Sequence, residues 1–348
     1  MKNKITLFIA LTISLVTFNS CDVEFDPNGD WEETTIVYGV LDQDADTNFI
    51  RVQRCFLGEG NYIEFARQKD SIYYHQDELE VSLYAFYEWE SNGWDTINNA
   101  RQKIYLNYTE SYTKPEGGFY SEVAPIYYTT EKLNSDFIYY LVIKNTKTGN
   151  VVTSNTKLVA NYVVNEPSNS RFEFRYNPTL KQNQIVCKWI NQSINAKGEM
   201  GRLYQPAIKF NFIENGQLTH IFIDYSTVSN PFFDEDRTIS YIATEREFLS
   251  QIKEKIGKRA MAERKFLLDE PTFELYVYAC NEKLKNFMEN NTPELSLSEK
   301  PIYTNIDNGV GIFASRRLHV KRSYTTWKES VEFSIQDLDL GFVNVVQP

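Results

Sequence analysis

Alternation between apolar and polar residues is the feature that most constrains the fold of this chain. It is cleanest where Val81, Leu83 and Ala85 fall on one face of an extended segment. Similar short runs recur along the chain between turn-forming residues, and few helical patterns separate them. Phe, Tyr and Trp make up 15% of the residues, which also favours strands. The sequence therefore predicts a mainly β fold built from antiparallel sandwiches.

Three pairs of these runs are predicted to form hairpins. The pairs are 35–41 with 47–56, 137–144 with 151–158, and 207–213 with 221–225. The third pair encloses Asn215-Gly216, a strong signal for a tight two-residue turn. Residues 312–324 and 331–342 are also predicted to be strands, whereas 63–69 have the pattern of a helical turn.

A polar segment around Pro167, residues 165–170, is the best candidate for a linker between two domains. The predicted domains are a β-sandwich at 33–164 and a β-rich domain at 165–348, both sandwich-like (Ig-like).

Two short helical insertions are predicted in the second domain, near 244–257 and 281–290. The first has an apolar stripe at helical spacing behind a capping-box signal. In the second, Met288 is predicted to face inward together with Leu284 and Phe287.

Residues 1–20 have the pattern of a bacterial export signal. Lys2 and Lys4 precede an uncharged apolar run that is shorter than the roughly 20 residues a membrane-spanning helix needs. The run ends at Cys21 with a small residue directly before it, which resembles a lipobox, where the signal is cut and the cysteine is lipidated. We therefore expect lipid on Cys21 to anchor the mature chain. A plain secretory signal with an incidental cysteine is the alternative.

The segment 21–32 is predicted to be an acidic tether. Asp22, Glu24 and Asp26 closely follow the cysteine. This resembles the signal that directs Bacteroidota lipoproteins to the outer face of the outer membrane. The alternative is a flexible tether that carries no localisation signal. The expected location is the outer membrane, facing the cell surface.

Charge and cysteine content exclude several classes of function. The net charge is −11, and loss of the signal segment would make it two units more negative. Nucleic acid is therefore not an expected partner, since its binding rests on basic contacts to phosphate. Besides Cys21, the chain has Cys55, Cys187 and Cys280, which allow one disulfide at most, and none of the spacings is typical of zinc. The last two lie in apolar runs and are predicted to be buried, and we expect no metal and no cofactor.

A motif in the second half, Asn305-Ile306-Asp307-Asn308-Gly309-Val310-Gly311-Ile312-Phe313, resembles the signature of a known family. With the early strand Val37–Leu41 and the strand Tyr139–Ile143, it is similar to a Bacteroidota lipoprotein family filed as domain of unknown function 4249. The resemblance would cover nearly the whole mature chain. Its members are typically encoded near TonB-dependent receptors, which implies a surface accessory role but no established activity.

The same motif has a purely structural interpretation. Gly309 and Gly311 permit positive φ angles, so Asn305 to Phe313 can form a tight turn that delivers Phe313 into a core strand. Asn308 stands where the family usually has Gly, and Asn tolerates the left-handed conformation. A ligand-binding loop is the alternative.

Enzyme signatures are missing from the sequence, so no catalytic residues are predicted. Exposed aromatic residues are the candidates for binding, because they anchor interfaces and ligands. Trp94 lies in a turn-like stretch beyond Tyr87 and Trp89 and is the tryptophan we expect to be exposed. Phe232, Phe233 and Asp234, in an acidic loop, are the other candidates.

The function expected from the sequence is that of a non-catalytic binding or accessory subunit of a TonB-dependent receptor or similar complex. A free-standing surface adhesin or glycan-binding structural protein is the alternative. A hydrolase remains a third class, since two of the 47 acidic residues could converge in a cleft.

Overall fold

The structure of the protein is a computed structural model. It describes residues 34–55, 62–90, 98–113, 120, 122–167, 171–191, 198–231, 237–257, 262–267, 271–291, 303–326 and 331–343.

Strands dominate this part of the chain. They are β1 (Thr35–Leu41), β2 (Asn48–Arg54), β3 (Leu79–Tyr87), β4 (Gln102–Tyr105), β5 (Asn107–Thr109), β6 (Ile126–Thr129), β7 (Phe137–Asn145), β8 (Val151–Lys157), β9 (Tyr162–Glu166), β10 (Arg171–Phe172), β11 (Arg175–Asn177), β12 (Gln182–Asn191), β13 (Leu203–Glu214), β14 (Gln217–Asp224), β15 (Val228–Ser229), β16 (Arg237–Thr244), β17 (Arg264–Phe266), β18 (Phe273–Cys280), β19 (Gly309–Thr326) and β20 (Phe342–Val343). The helices are α1 (Tyr62–Ala66), α2 (Lys69–Ile72), α3 (Glu245–Gly257), α4 (Glu282–Asn290) and α5 (Val331–Gln336), with a 3₁₀ turn at Glu88–Glu90.

The strands form a sandwich-like, mainly β fold, which confirms the predicted fold class. A large sheet runs in the order β20-β17-β13-β18-β19-β1-β2-β6-β5. A four-stranded sheet, β4-β3-β7-β8, packs on its N-terminal strands. A second small sheet, β11-β12-β16 with β9, packs on its C-terminal strands. One continuous sheet therefore supplies a layer to both sandwiches.

Strand β19 is the element that joins the two sandwiches. Its first half, Gly309 to Ser315, pairs in parallel with all of β1. Its second half pairs antiparallel with β18. Because β1 and β19 are far apart in sequence and parallel, no hairpin signal could predict this pairing. The predicted domain boundary at 164/165 stays a prediction, and β19 crosses from one sandwich into the other.

Two hydrophobic cores fill the sandwiches, and they differ in composition. The N-terminal core is mostly aliphatic, with Val37, Ile50, Leu83 and Leu141 among its members. The C-terminal core is rich in rings: Tyr162, Phe172, Trp189, Tyr204, Phe210, Phe212, Tyr225, Phe248, Phe266, Phe273 and Phe342. Several of these rings stack, as Phe172 does on Phe273 with centroids 4.5 Å apart.

The hairpins lie where the sequence predicts them. β1 pairs with β2, β7 with β8, and β13 with β14, all antiparallel. At the third turn Asn215 and Gly216 have φ angles of 50° and 83°. Both central residues of a type I′ turn need such positive angles, which explains the Asn-Gly pair.

Helix α3 follows its predicted stripe, because Phe248, Ile252 and Ile256 are all buried. The backbone N–H of Glu247 donates to the Thr244 hydroxyl at 3.1 Å, so Thr244 caps the helix as expected.

Two sequence predictions in the second half are wrong. Residues 331–342 are not a strand: Val331–Gln336 is helix α5, with Val331 and Ile335 buried one helical turn apart. The apparent alternation came from Phe333, which is 49% exposed. Met288 does not face inward either, since it is 44% exposed and helix α4 has no fully buried residue.

Asn281, directly before α4, holds this helix to both halves of the fold. Its side chain is fully buried and donates to Thr156 Oγ1 of β8 at 2.9 Å. Its Oδ1 accepts from the backbone N–H groups of Leu284 in α4 and Ser315 in β19. Because both the nitrogen and the oxygen of this buried amide have hydrogen-bond partners, the amide fixes the positions of β8, α4 and β19 relative to one another.

Candidate functional site

The most exposed large hydrophobic side chain of the described residues is a tryptophan at the end of β3. Strand β3 ends at Tyr87, and the 3₁₀ turn that follows directs Trp89 outward, so that 72% of it is exposed. The two rings stack, with centroids 4.4 Å apart and planes 7° from parallel. The indole therefore rests on Tyr87 and presents a large apolar surface to solvent.

This pair is fixed to the core by a chain of rings. Tyr87 pairs with Phe137 across β3 and β7, and their rings meet edge to face at 4.9 Å. Phe137 in turn contacts Tyr139, which is fully buried in the N-terminal core. The Tyr139 hydroxyl accepts from the backbone N–H of Asn134 at 2.7 Å, which ties down the loop before β7. Because the stacked rings of Tyr87 and Trp89 are supported in this way, they lose little side-chain entropy when a ligand binds.

A cavity of about 350 Å³ opens beside Tyr87 and Trp89. Its described lining residues are Tyr87, Glu88, Trp89, Ser135, Asp136, Phe137, Ile138, Lys157 and Gly198. Its volume lies at the lower end of the range of about 300–1,000 Å³ that is usual for ligand pockets. We call this cavity with its tryptophan the Trp89 pocket.

Charged groups line the Trp89 pocket beside the rings. Lys157 Nζ donates to the Glu88 carboxylate, and both side chains remain partly exposed. This ion pair offers donors from the ammonium and acceptors from the carboxylate without leaving a net charge.

Arg101 steadies the turn that carries Trp89. Its guanidinium donates to Glu90 and lies 5.8 Å from the centre of the Tyr87 ring. The hydrogen bond from Arg101 holds the pKa of the Glu90 carboxyl below its usual value. The turn is therefore held by a charge-assisted contact from outside the pocket.

Gly198 brings the second half of the chain to the pocket. Its φ angle is +103°, and a Cβ there would lie 2.6 Å from the Leu158 carbonyl oxygen. Next to it, the Glu199 N–H donates to that oxygen and the Ala160 N–H donates to Glu199 O, each at 2.7 Å. Only glycine can approach the backbone so closely in this conformation.

The structure does not describe the binding residues predicted from the sequence. Cys21, Trp94, Phe232, Phe233 and Asp234 lie outside the described residues, so their roles stay predictions. The sequence does place Trp89 and Tyr87 at a strand end. It gives no signal for Lys157 and Gly198, because both are distant from Trp89 in sequence and reach the pocket through tertiary packing.

The turn motif is described in full. Asn305 and Phe313 exchange two hydrogen bonds: the Asn305 Nδ2 donates to Phe313 O at 2.7 Å, and its Oδ1 accepts from Phe313 N at 2.9 Å. Asn308 has a φ of 58°, which is the left-handed conformation expected for it. A Cβ at Gly311 would lie 2.0 Å from Val37 O and at Gly309 2.7 Å from Thr35 O. Both glycines thus let β19 approach β1 closely.

Two further cavities lie elsewhere. One of about 270 Å³ is mostly apolar and lies between β13, β18 and α4, lined in part by Tyr278, Met288 and Arg316. The other, of about 580 Å³, is polar and lies beside the turn at Asn308 and Gly309. Among their described lining residues, neither combines an exposed ring with charged groups as the Trp89 pocket does.

Metal-binding side chains and cysteine thiols could also carry chemistry within the part of the chain that the structure describes. Within the described ranges, no group of three or more His, Cys, Asp or Glu could hold a metal ion. Cys187 and Cys280 are buried as predicted, and burial raises the pKa of each thiol to about 12. No helix in the described part of the chain is long and apolar enough to cross a membrane.

No protein-family model matches the chain, and no curated protein matches it. The resemblance to domain of unknown function 4249 therefore stays a prediction from the motifs.

Proposed function

We propose that this protein is a lipid-anchored outer-membrane binding protein that captures a ligand in the Trp89 pocket without transforming it. The single observation that carries this role is the exposed Trp89 stacked on Tyr87 at the rim of a 350 Å³ cavity. Trp89 is 72% exposed and stacks on Tyr87, so it presents a large, flat apolar surface to solvent. Its rigid support indicates a surface made for contact.

The anchor and the partner in this proposal come from the sequence. Lipid on Cys21 would hold the chain on the outer membrane, since two or three acyl chains contribute roughly 0.8 kcal/mol per buried methylene. The resemblance to lipoproteins encoded beside TonB-dependent receptors supports such a receptor, or a similar barrel, as the partner. The protein would then be its accessory subunit and deliver captured ligand to it.

The anchor is tested by cell fractionation of a Cys21→Ser variant. We expect this variant to leave the membrane fraction, whereas the matched control Cys55→Ser, at an exposed cysteine, stays there. Membrane retention of Cys21→Ser would contradict the anchor.

The partner is tested by purification of the tagged, lipidated protein in mild detergent at low salt, followed by mass spectrometry. A TonB-dependent barrel recovered in stoichiometric amount supports the accessory role. Reproducible recovery of the protein alone contradicts it and favours the free-standing adhesin.

A further inference from the structure

We infer that the Trp89 pocket binds a neutral sugar unit of a glycan. This inference rests on the proposed binding role and names the ligand class of the same site.

The geometry of the rings fits a pyranose. A pyranose has one face of C–H groups and a rim of hydroxyls, so it needs a flat apolar surface with polar groups at its edge. Tyr87 covers one face of the Trp89 indole, with planes 7° apart, and the tryptophan is still 72% exposed. The open surface of the indole is therefore flat, apolar and held at a fixed angle.

The polar groups at the edge fit hydroxyls. Each sugar hydroxyl is both a donor and an acceptor, and Lys157 Nζ and the Glu88 carboxylate offer one partner of each kind. Such charge-assisted hydrogen bonds are stronger than neutral ones. Asp136 and Ser135 add further oxygen atoms to the lining.

The charge balance favours a neutral sugar over an anionic one. Lys157 is the one basic residue in the described lining, and it already pairs with Glu88. The chain as a whole carries a net charge of −11. A phosphate or uronic acid would therefore find no unshared cation in this lining and would meet an unfavourable field.

The size of the cavity limits how much of a glycan it covers. At about 350 Å³ it has room for little more than the end of a chain. The remaining units would extend into solvent past the exposed indole.

The test uses the purified full-length, lipidated protein in a detergent without a sugar headgroup. The probes are immobilised neutral oligosaccharides of glucose, galactose, mannose and xylose, with polygalacturonate and heparin as anionic probes and a random peptide pool as a third class. Titration calorimetry with the best probe then gives Kd for each variant. Trp89→Ala, Trp89→Phe and Lys157→Met change the pocket. Tyr176→Ala removes a ring that is 63% exposed on β11 and serves as the matched control.

We expect a neutral oligosaccharide to bind and Trp89→Ala to weaken it about tenfold or more, as for an anchor residue. Trp89→Phe, which keeps a smaller ring, should retain part of the affinity, and Tyr176→Ala should change it by less than about twofold. The retained affinity of Trp89→Phe separates loss of stacking from loss of folding. Ligand should also shift the tryptophan emission to shorter wavelength in the unchanged protein but not in Trp89→Phe.

Three outcomes would overturn the inference. If the oligosaccharide binds all variants with the same Kd as the unchanged protein, the sugar binds outside the Trp89 pocket. Binding of the anionic glycans alone would contradict a neutral ligand. Binding of peptides alone, with the same dependence on Trp89, would contradict the glycan class but leave the proposed binding role standing. That role fails only when no probe depends on Trp89 and no barrel is recovered.

Discussion

The two sandwiches differ in how far aromatic residues fill their cores, although each also carries an exposed ring, such as Tyr176 on β11 of the C-terminal sandwich. The C-terminal sandwich buries its rings in the core, where Phe210 stacks on Phe273 at 4.9 Å and Trp189 is fully buried. The N-terminal sandwich fills its core mainly with aliphatic side chains and carries Trp89 and Tyr105 on its surface. Aromatic residues therefore dominate the core of the C-terminal sandwich, whereas Trp89 of the N-terminal sandwich is available for binding. Composition alone does not distinguish these uses.

Thiol reactivity should show the largest difference between the two regions. Burial raises the pKa of Cys187 and Cys280 to about 12, whereas Cys55 at the end of β2 is exposed. At pH 8 roughly one in ten thousand of the buried thiols is ionised, and the thiolate is the reactive form. In a Cys21→Ser background we expect a thiol reagent to label one equivalent quickly and two more only after unfolding. A further Cys55→Ser change should remove the fast phase. Equal rates for all three thiols would contradict the burial of Cys187 and Cys280.

Removing a buried ring should cost the most stability. Phe273→Ala would lose stacking on Phe172 and Phe210 and leave a cavity, which lowers the free energy of unfolding by about 3–5 kcal/mol. Urea unfolding followed by circular dichroism measures it. A loss below about 1 kcal/mol would mean that the ring cluster packs loosely.

Removing the buried amide of Asn281, which links α4 to β8 and β19, should lower the free energy of unfolding by an intermediate amount. Asn281→Ala leaves the N–H groups of Leu284 and Ser315 without their side-chain acceptor, at about 1–3 kcal/mol for each buried unsatisfied group. We expect a total near 3 kcal/mol by urea unfolding. The matched control is Asn290→Ala at the exposed end of the same helix, which should change stability by less than about 0.5 kcal/mol. Equal effects of the two substitutions would show that the packing of α4 against β8 and β19 does not depend on the buried amide.

Removing the exposed ring should cost the least stability. Trp89→Ala should change the free energy of unfolding by about 0.5 kcal/mol or less, because the side chain is mostly in solvent. A loss close to that of Phe273→Ala would show that Trp89 is a structural residue, and the contrast between the two regions would then disappear.

Local patterns account for the part of the fold that the sequence predicts. Alternation identified β3, the Asn215-Gly216 pair identified a hairpin, and an apolar stripe identified α3. The parallel pairing of β1 with β19 was not predictable, since its partners are distant in sequence. Helix α5 was missed because a six-residue helix is too short for its period to stand out from alternation.

The candidate site was predictable only in part, for the same reason. Aromatic residues at the end of a strand indicate a surface cluster, and the sequence shows Tyr87 and Trp89 there. Lys157 and Gly198 enter the pocket through tertiary packing. No spacing in the sequence relates either of them to Trp89.

The pairing of β1 with both β2 and β19 has a mechanical consequence. If the chain is held at its N-terminal end by lipid, any pull on a captured ligand is transmitted to the membrane along β1, which begins at Thr35. The hydrogen bonds that hold β1 run across its direction to neighbours on both sides. A force along the strand would therefore load all of them together in shear, rather than opening them one after another, and the fold would resist tension at the end where the tether joins it.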